Sequence, residues 1–329
     1  MAISVPWNTT VISLILNYQA YRPFLMKEVG KIWMNGKLVP FKDAKVHVLT
    51  HALHYSTAVF EGIRCYNTPK GSMIFRLPEH VDRLFSSAKM YSMKIPYSKK
   101  QISDAIIKTV RNSTMKECYI RPIVYYSYGM LGLTPTANKI DVAIACVEAL
   151  QEYTKAGKIR GTRCKISRWV RIDSRSQPMQ AKAASNYANA ALARVEALNK
   201  GYDESIMLNY DGKVAEGSAE NIFLVNDGKM FTPPLSAGIL PGITRASVIE
   251  IAKSEKLSIT EKNVDVKDLY SADEVFMTGT ASEIKPVTEI NNKAIGDGNP
   301  GKLTLKLHKI FMDVVSVRDK RFFKWLTPV

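Results

Sequence analysis

The sequence predicts an α+β protein of two domains, and three observations carry that expectation. Its 329 residues exceed what one ordinary core accommodates. Strand-like runs and amphipathic helical stretches are mixed without the regular βαβ alternation of a parallel sheet, and no internal repeat is evident. Between residues 148 and 159 the apolar pattern lapses around Gly157, which marks a connection between domains. The expected division is an amino-terminal extension over 1–25, a small α/β domain over 26–147, a connecting loop over 148–159 and a large domain over 160–329.

The extension carries an apolar piece at residues 10–16 with no basic stretch before it, which argues against a secretory leader and for a peripheral role. Residues 30–41 read as a hairpin: Ile32-Trp33-Met34, an Asn35-Gly36 turn, then Leu38 to Phe41. Strands are expected over 72–75, 119–126 and 140–147. Val81, Leu84, Phe85 and Ala88 recur at helical spacing, and Ile102, Ala105, Ile106 and Val110 repeat the pattern. In the second half, residues 165–172 read as extended and 187–198 as an alanine-rich helix. Strands at 205–209 and 222–225 are separated by Asp211-Gly212, and Asp227-Gly228 makes a further hairpin turn. Helices follow at about 244–256 and 303–317.

Composition bounds the function. Hydrophobic content of 46% and charged content of 23% are those of a soluble globular chain, and no run approaches the roughly 18 apolar residues of a membrane span. Cys65, Cys118, Cys146 and Cys164 form no Cys-x-x-Cys, so neither a zinc site nor a disulfide framework is indicated and a reducing cytoplasm fits. His51 and His54 lack further ligand-like neighbours and read as structural histidines, not a metal site. The net charge of +16 comes from lysines and arginines scattered among acidic residues, which describes a solvated basic surface and not a nucleic-acid groove. Such a field favours phosphate and dicarboxylate ligands. Gly296-Asp297-Gly298-Asn299-Pro300-Gly301-Lys302 has phosphate-loop spacing, but Leu303 stands where a magnesium-binding hydroxyl belongs, so it reads as a glycine-rich turn.

The chemistry lies elsewhere. Lys182 sits among small residues in Gln180-Ala181-Lys182-Ala183-Ala184-Ser185-Asn186-Tyr187, and Glu216 lies in Val214-Ala215-Glu216-Gly217-Ser218-Ala219-Glu220-Asn221. An amine for a Schiff base, a phenol and a separate anion are the groups that turn pyridoxal phosphate into an enzyme cofactor. By themselves these residue types are common. Leu240-Pro241-Gly242-Ile243-Thr244-Arg245 leads into an apolar-periodic helix and offers free amides to a phosphate, or simply an ordinary cap. Met277-Thr278-Gly279-Thr280-Ala281-Ser282 ends a strand with small residues that could cradle a second anion.

In this order, Lys-Ala-x-x-Asn-Tyr, Glu-Gly-x-x-Glu-Asn, Leu-Pro-Gly-Ile-Thr-Arg and Gly-Thr-Ala resemble the fold type IV pyridoxal phosphate enzymes, with a D-amino acid aminotransferase-like architecture. Within them the chain resembles the branched-chain amino acid aminotransferases of the class IV family. The narrower signatures are His51-Ala52-Leu53-His54-Tyr55, Val59-Phe60-Glu61-Gly62-Ile63-Arg64-Cys65-Tyr66, His80-Val81-Asp82-Arg83-Leu84 and Tyr119-Ile120-Arg121-Pro122. The likeness runs from about Ile32 to Phe311.

The resemblance implies transfer of the amino group of leucine, isoleucine or valine to 2-oxoglutarate by a ping-pong route. Lys182 would hold pyridoxal 5'-phosphate as an internal aldimine and later move the proton between Cα and C4′. Glu216 would keep the pyridine nitrogen protonated, and Tyr187 would hydrogen-bond the ring oxygen. Arg83 would bind the phosphate together with Leu240, Gly242, Ile243, Thr244, Gly279 and Thr280. Tyr55, Phe60, Gly62 and Tyr153 resemble substrate-pocket residues. Tyr119 and a recessed Arg121 resemble the group that receives a carboxylate, and the Thr280 and Ala281 amides would meet the substrate α-carboxylate. The partners implied are small amino and 2-oxo acids and further copies of the chain, as a homodimer or larger assembly in which one small domain closes its neighbour's pocket.

Two departures stand out. Where many bacterial members have Pro-Trp-Gly-Ala-Tyr, this chain has Ala149-Leu150-Gln151-Glu152-Tyr153, without the tryptophan wall, and Ser185 replaces a common glycine. A D-amino acid aminotransferase or aminodeoxychorismate lyase of the same fold is the alternative reading.

Overall fold

Asn35 and Gly36 adopt φ of 48° and 91°, the left-handed conformation that reverses a chain between two strands without splaying them. They join β1 (Lys31–Met34) to β2 (Lys37–Pro40) as the sequence predicts. In this computed structural model residues 30–148, 154–155 and 158–329 are described. The extension over 1–25, Tyr153 and the Ala149 to Glu152 stretch lie outside them.

A short helix α1 (His51–Tyr55) precedes β3 (Ala58–Phe60), β4 (Ile63–Thr68) and β5 (Gly71–Phe75). Helix α2 (Leu77–Met90) buries Leu77, Val81, Leu84 and Ala88, and α3 (Lys99–Ser113) buries Ile102, Ala105, Ile106 and Val110. Ser98 and Gln101 close a capping box at the start of α3. Strands β6 (Cys118–Tyr126) and β7 (Ile140–Val147) complete this half. The two helices pack their apolar stripes with Ile63, Ile74, Ile120 and Ile144 into one core.

After the short strands β8 (Thr154–Lys155) and β9 (Lys158–Ile159), the second half contains β10 (Thr162–Ile166), α4 (Ala184–Asn199), β11 (Glu204–Leu208) and β12 (Val214–Gly217). Then come β13 (Asn221–Asn226), β14 (Lys229–Thr232), α5 (Ile243–Ser254), β15 (Ile259–Glu261) and α6 (Val266–Tyr270). Strands β16 (Glu274–Gly279), β17 (Glu283–Ile290) and β18 (Lys293–Ala294), helix α7 (Lys302–Val315) and β19 (Leu326–Pro328) end the chain.

One sheet runs β19-β5-β4-β6-β7-β1-β2, with β3 beside β6, and the other runs β12-β11-β10-β17-β16-β13-β14-β15, with β18 beside β17. The last strand of the chain thus returns to the first sheet, pairing Leu326 with Phe75. Phe223, Phe276, Val248, Ile251, Leu307 and Phe311 fill the layer between the second sheet and helices α5 and α7. Mixed helix and sheet, with two large sheets and the small β8-β9 pair, is the α+β class expected.

One expected element differs. The strand expected over 165–172 ends at Ile166, because the following amides turn to side chains: Arg168 N–H donates to Glu196 at 3.0 Å and Trp169 N–H to Ser167 Oγ at 3.0 Å. Local side-chain acceptors here compete successfully with a sheet ladder. Strand β12 is absent from the sequence expectation. Asn209 Oδ1 accepts the amides of Asp211 and Lys213, closing a turn that sends β12 back antiparallel to β11.

Candidate active site

Lys182 lies at the seam between the two sheets, held by its own backbone. Its N–H donates to Ser87 Oγ on α2 at 2.9 Å, and its carbonyl accepts Phe60 N–H at 3.0 Å. Ala183 bridges Val59 in the same manner as a short strand pair. Ala181 and Ala183 are 1% and 0% exposed, so only small residues fit on either side. The lysine therefore reaches its position by a fixed backbone, which leaves only its side chain to adjust. Its Nζ donates to the Tyr187 hydroxyl and lies 4.9 Å from the Phe60 ring centroid and 4.7 Å from that of Tyr187.

Glu216, on β12, is buried. It accepts Leu240 N–H at 3.1 Å and Asn221 Nδ2 at 3.0 Å, and Arg171 Nη2 lies 2.5 Å from its other oxygen. Burial pushes the Glu216 carboxyl above the ordinary range, and Arg171, the Leu240 amide and the Lys182 charge pull in the other direction. Asn221 also donates to Leu240 O at 2.9 Å, tying the carboxylate to the 240–242 turn.

That turn starts α5. Gly242 is the N-cap residue and supplies no side-chain cap, so the first amides of the helix are not satisfied by a capping side chain. A Cβ at Gly242 would stand 1.9 Å from Asn221 Oδ1, which explains the glycine. Thr244 is buried in the first turn. Arg83 reaches over from α2, donating through Nη1 to Pro241 O at 3.0 Å. Its remaining contacts are with Glu61, which is wholly buried and also accepts His80 Nδ1 at 2.7 Å. Burial alone would raise the Glu61 carboxyl, but Arg83 and His80 hold it well below the usual range. Burial lowers His80 from its ordinary value, while the Glu61 charge pulls the other way.

On the other side of the lysine stand Tyr119 and Arg121. Tyr119 packs over Gly62 so closely that a Cβ there would lie 1.8 Å from the phenol oxygen. Arg121 Nη2 donates to Tyr119 OH at 3.2 Å, and the guanidinium lies 4.9 Å from the centroid of Phe60. Arg121 is exposed, not recessed: it lies across the two rings with its outer side in water. Gly279, Thr280 and Ala281 form the turn after β16. The buried hydroxyls of Thr278 and Ser282 flank it without a hydrogen-bond partner among the described residues.

Lys182, Tyr187, Glu216, Phe60, Gly62, Arg83, Tyr119, Arg121 and the turns at 240–244 and 279–281 thus lie around one seam. Tyr55 stands apart on α1, exposed, with its ring tilted against that of His51 at 4.6 Å between centroids. Tyr153 is outside the described residues. Sequence reasoning missed Glu61, Ser87, Arg171 and Asn221 as site residues. Glu61 and Asn221 were inside quoted motifs, whereas Ser87 and Arg171 carry no local signal.

The class IV aminotransferase family model matches residues 58–290. The branched-chain-amino-acid aminotransferase of Pseudomonas aeruginosa is 41% identical over 300 residues, 91% of this chain and 97% of that protein. Among solved structures, the T.th. branched-chain amino acid aminotransferase with pyridoxamine 5'-phosphate is similar at TM-score 0.88 and 43% identity, over 92% of this chain and 99% of that one. The same T.th. enzyme complexed with 4-methylvaleric acid superposes with TM-score 0.87 at 42% identity, with the same coverage.

Proposed function

We propose, on the footing that this chain belongs to the class IV aminotransferases and is a branched-chain amino acid aminotransferase, that it transfers the amino group of L-leucine, L-isoleucine and L-valine to 2-oxoglutarate in two half-reactions. The observation that carries the reading is the Lys182 amine against the Tyr187 hydroxyl, with Glu216 buried and fixed by Arg171, Asn221 and the Leu240 amide. Pyridoxal 5'-phosphate, when bound, supplies a carbonyl that captures amines and a protonated ring that withdraws electrons from the substrate Cα.

The residues fit that cofactor. Lys182 would hold it covalently, and its amine, once free, would serve as the base for a proton at the substrate Cα. Glu216, fixed by Arg171, Asn221 and the Leu240 amide, would hold the proton of the ring nitrogen. Tyr187 would hold the ring oxygen. Arg83, the Ile243 and Thr244 amides and Thr280 would hold the phosphate, since a fork and a helix start are complementary to an anion. The orphaned hydroxyls of Thr278 and Ser282 mark the neighbouring turn as a polar cradle.

One pocket has to take two side chains. Phe60, and Tyr153 by resemblance, wall an apolar side chain, while Tyr119 and Arg121 receive the distal carboxylate of glutamate, and the Thr280 and Ala281 amides take the α-carboxylate. The chain acts as a homodimer or larger assembly. Support comes from an exposed apolar face formed by Val48, Leu53, Tyr55, Met130 and Leu133, whose two segments are joined by His51 Nε2 and Gly132 O at 2.9 Å. Four free, buried cysteines fit a cytoplasmic setting. Among the described residues no helix is long and apolar enough to cross a membrane.

The test is the visible spectrum of the protein with pyridoxal phosphate, before and after L-leucine without a keto acid. A visible cofactor band that disappears on adding leucine supports the reading. A band that responds only to D-amino acids replaces it with the D-specific alternative, and no band at all removes the role given to Lys182.

A further inference from the structure

Arg76 stands immediately before α2 with φ of 49°, a left-handed conformation unfavourable for a residue with a side chain. Its side chain does not cap the helix that it precedes. A glycine would relieve the strain, so the guanidinium at this place has a use.

The residue is 8% exposed, a position that a guanidinium occupies only with compensation. Its N–H donates to Trp325 O at 2.6 Å and the guanidinium lies 4.6 Å from the Trp325 ring centroid, so the end of the chain covers it. Nε donates to Glu79 Oε1 at 2.7 Å. Nη1 crosses to α5, where it donates to Ser247 Oγ at 3.0 Å and to Glu250 Oε1 at 3.1 Å. The two carboxylates offset the charge, whereas the serine, wholly buried, passes the contact inward. Ser247 Oγ donates to Ile243 O at 2.8 Å, in the first turn of α5. A hydroxyl that accepts from a cation is polarised and donates more strongly, so Arg76 tightens that turn through Ser247.

Helix α2 thus meets the start of α5 in two places. Arg83 reaches Pro241 O at 3.0 Å, and about two turns earlier Arg76 reaches Ser247. Phosphate roles for Arg83, Ile243 and Thr244 follow from the reading above. Arg76 and Ser247 have none.

We propose that Arg76 and Ser247 are positioning residues for the cofactor phosphate: they lock α2 to α5 so that Arg83 and the Ile243 and Thr244 amides converge on one anion. The inference rests on the transamination reading, through the phosphate role given to those groups.

The test titrates the apoenzyme with pyridoxal 5'-phosphate and, separately, with pyridoxal, which lacks the phosphate, each followed by its visible band. The ratio of the two affinities isolates what the phosphate contributes. S247A removes one hydroxyl and little volume, and should lower that ratio about threefold or more, as for loss of one hydrogen bond, with pyridoxal affinity kept within about twofold. R76M should lower it about tenfold or more, as for loss of a hydrogen bond to a charged group. Bracing of the fold alone would weaken both compounds alike and leave the ratio unchanged. If R76M does not fold, S247A decides. An S247A ratio within about twofold of wild type overturns the proposal, and so does an equal loss of affinity for both compounds. A wild type that forms no band with either compound, or binds the two equally, removes the cofactor reading itself.

Discussion

Glu61 accepts both nitrogens on one side of the Arg83 fork, Nε at 2.7 Å and Nη2 at 2.9 Å, leaving Nη1 to reach Pro241. The carboxylate thus aims the arginine at the turn that starts α5. A buried anion is tolerated here because Arg83 and His80 both compensate it.

Glu61→Gln should cost about 3 kcal/mol of stability, since it leaves a buried guanidinium without its counter-charge. The pH dependence has a definite sign. Glu61 is depressed below its value of 4.5 in the unfolded chain, so its contribution is complete above about pH 4.5 and declines as pH falls below it. His80, lowered by burial, acts in the same direction below about pH 6.5. Acid titration of the melting temperature checks this: the acid loss should be smaller in E61Q. Weaker pyridoxal phosphate binding should accompany it.

Lys182→Ala should abolish the cofactor's visible band and reduce turnover by at least about 10⁴-fold, because both the covalent attachment and the general base go with one amine. Ser87→Ala separates the backbone from the chemistry. It leaves the Lys182 N–H buried without its acceptor, a cost of about 1–3 kcal/mol, while the amine remains. The visible band should survive in S87A with lower kcat, measured alongside the melting temperature. Equal stability and kcat would show that the amide clamp contributes nothing.

The reactive groups could be read from the sequence because each sits in a short motif that carries its own chemistry: Lys182 with Tyr187, Glu216 with Asn221. Helix α2 could be read from the spacing of Val81, Leu84 and Ala88. Nothing local marks Ser87 as the acceptor for Lys182, because the two lie 95 residues apart and meet only when the halves pack. Arg171 follows a predicted strand that in fact ends at Ile166, so its approach to Glu216 depends on a loop path that periodicity does not encode. Strand β12 was missed for a related reason. Its four residues are too few to show alternation.

Gly62 and Gly242 are expected to separate substrate binding from cofactor binding. Gly62→Ala puts a methyl 1.8 Å from the Tyr119 oxygen and must displace that ring. Gly242→Ala collides at 1.9 Å with Asn221 Oδ1, the side chain that joins Glu216 to the Leu240 carbonyl. Each should cost about 1–3 kcal/mol as overpacking. G62A should raise the KM for leucine with cofactor affinity kept, and G242A should weaken pyridoxal phosphate binding. The reverse pattern in steady-state kinetics and cofactor titration would refute both assignments.

Glu216 should give the apoenzyme and holoenzyme opposite responses to pH. Burial raises its carboxyl above 4.5. As pH rises through the window between 4.5 and that raised value, the unfolded chain has released a proton that the folded apoenzyme retains, so stability falls. Each tenfold difference in proton affinity is worth about 1.4 kcal/mol. A bound pyridinium adds a positive charge at the carboxylate and reverses the preference, because the ionised form then has two cationic partners, Arg171 and the ring. The gap in melting temperature between wild type and Glu216→Gln should therefore narrow with rising pH without cofactor and widen with it, on top of a constant offset from the unpaired Arg171. Identical slopes in the two states would mean that the carboxylate does not meet the ring nitrogen.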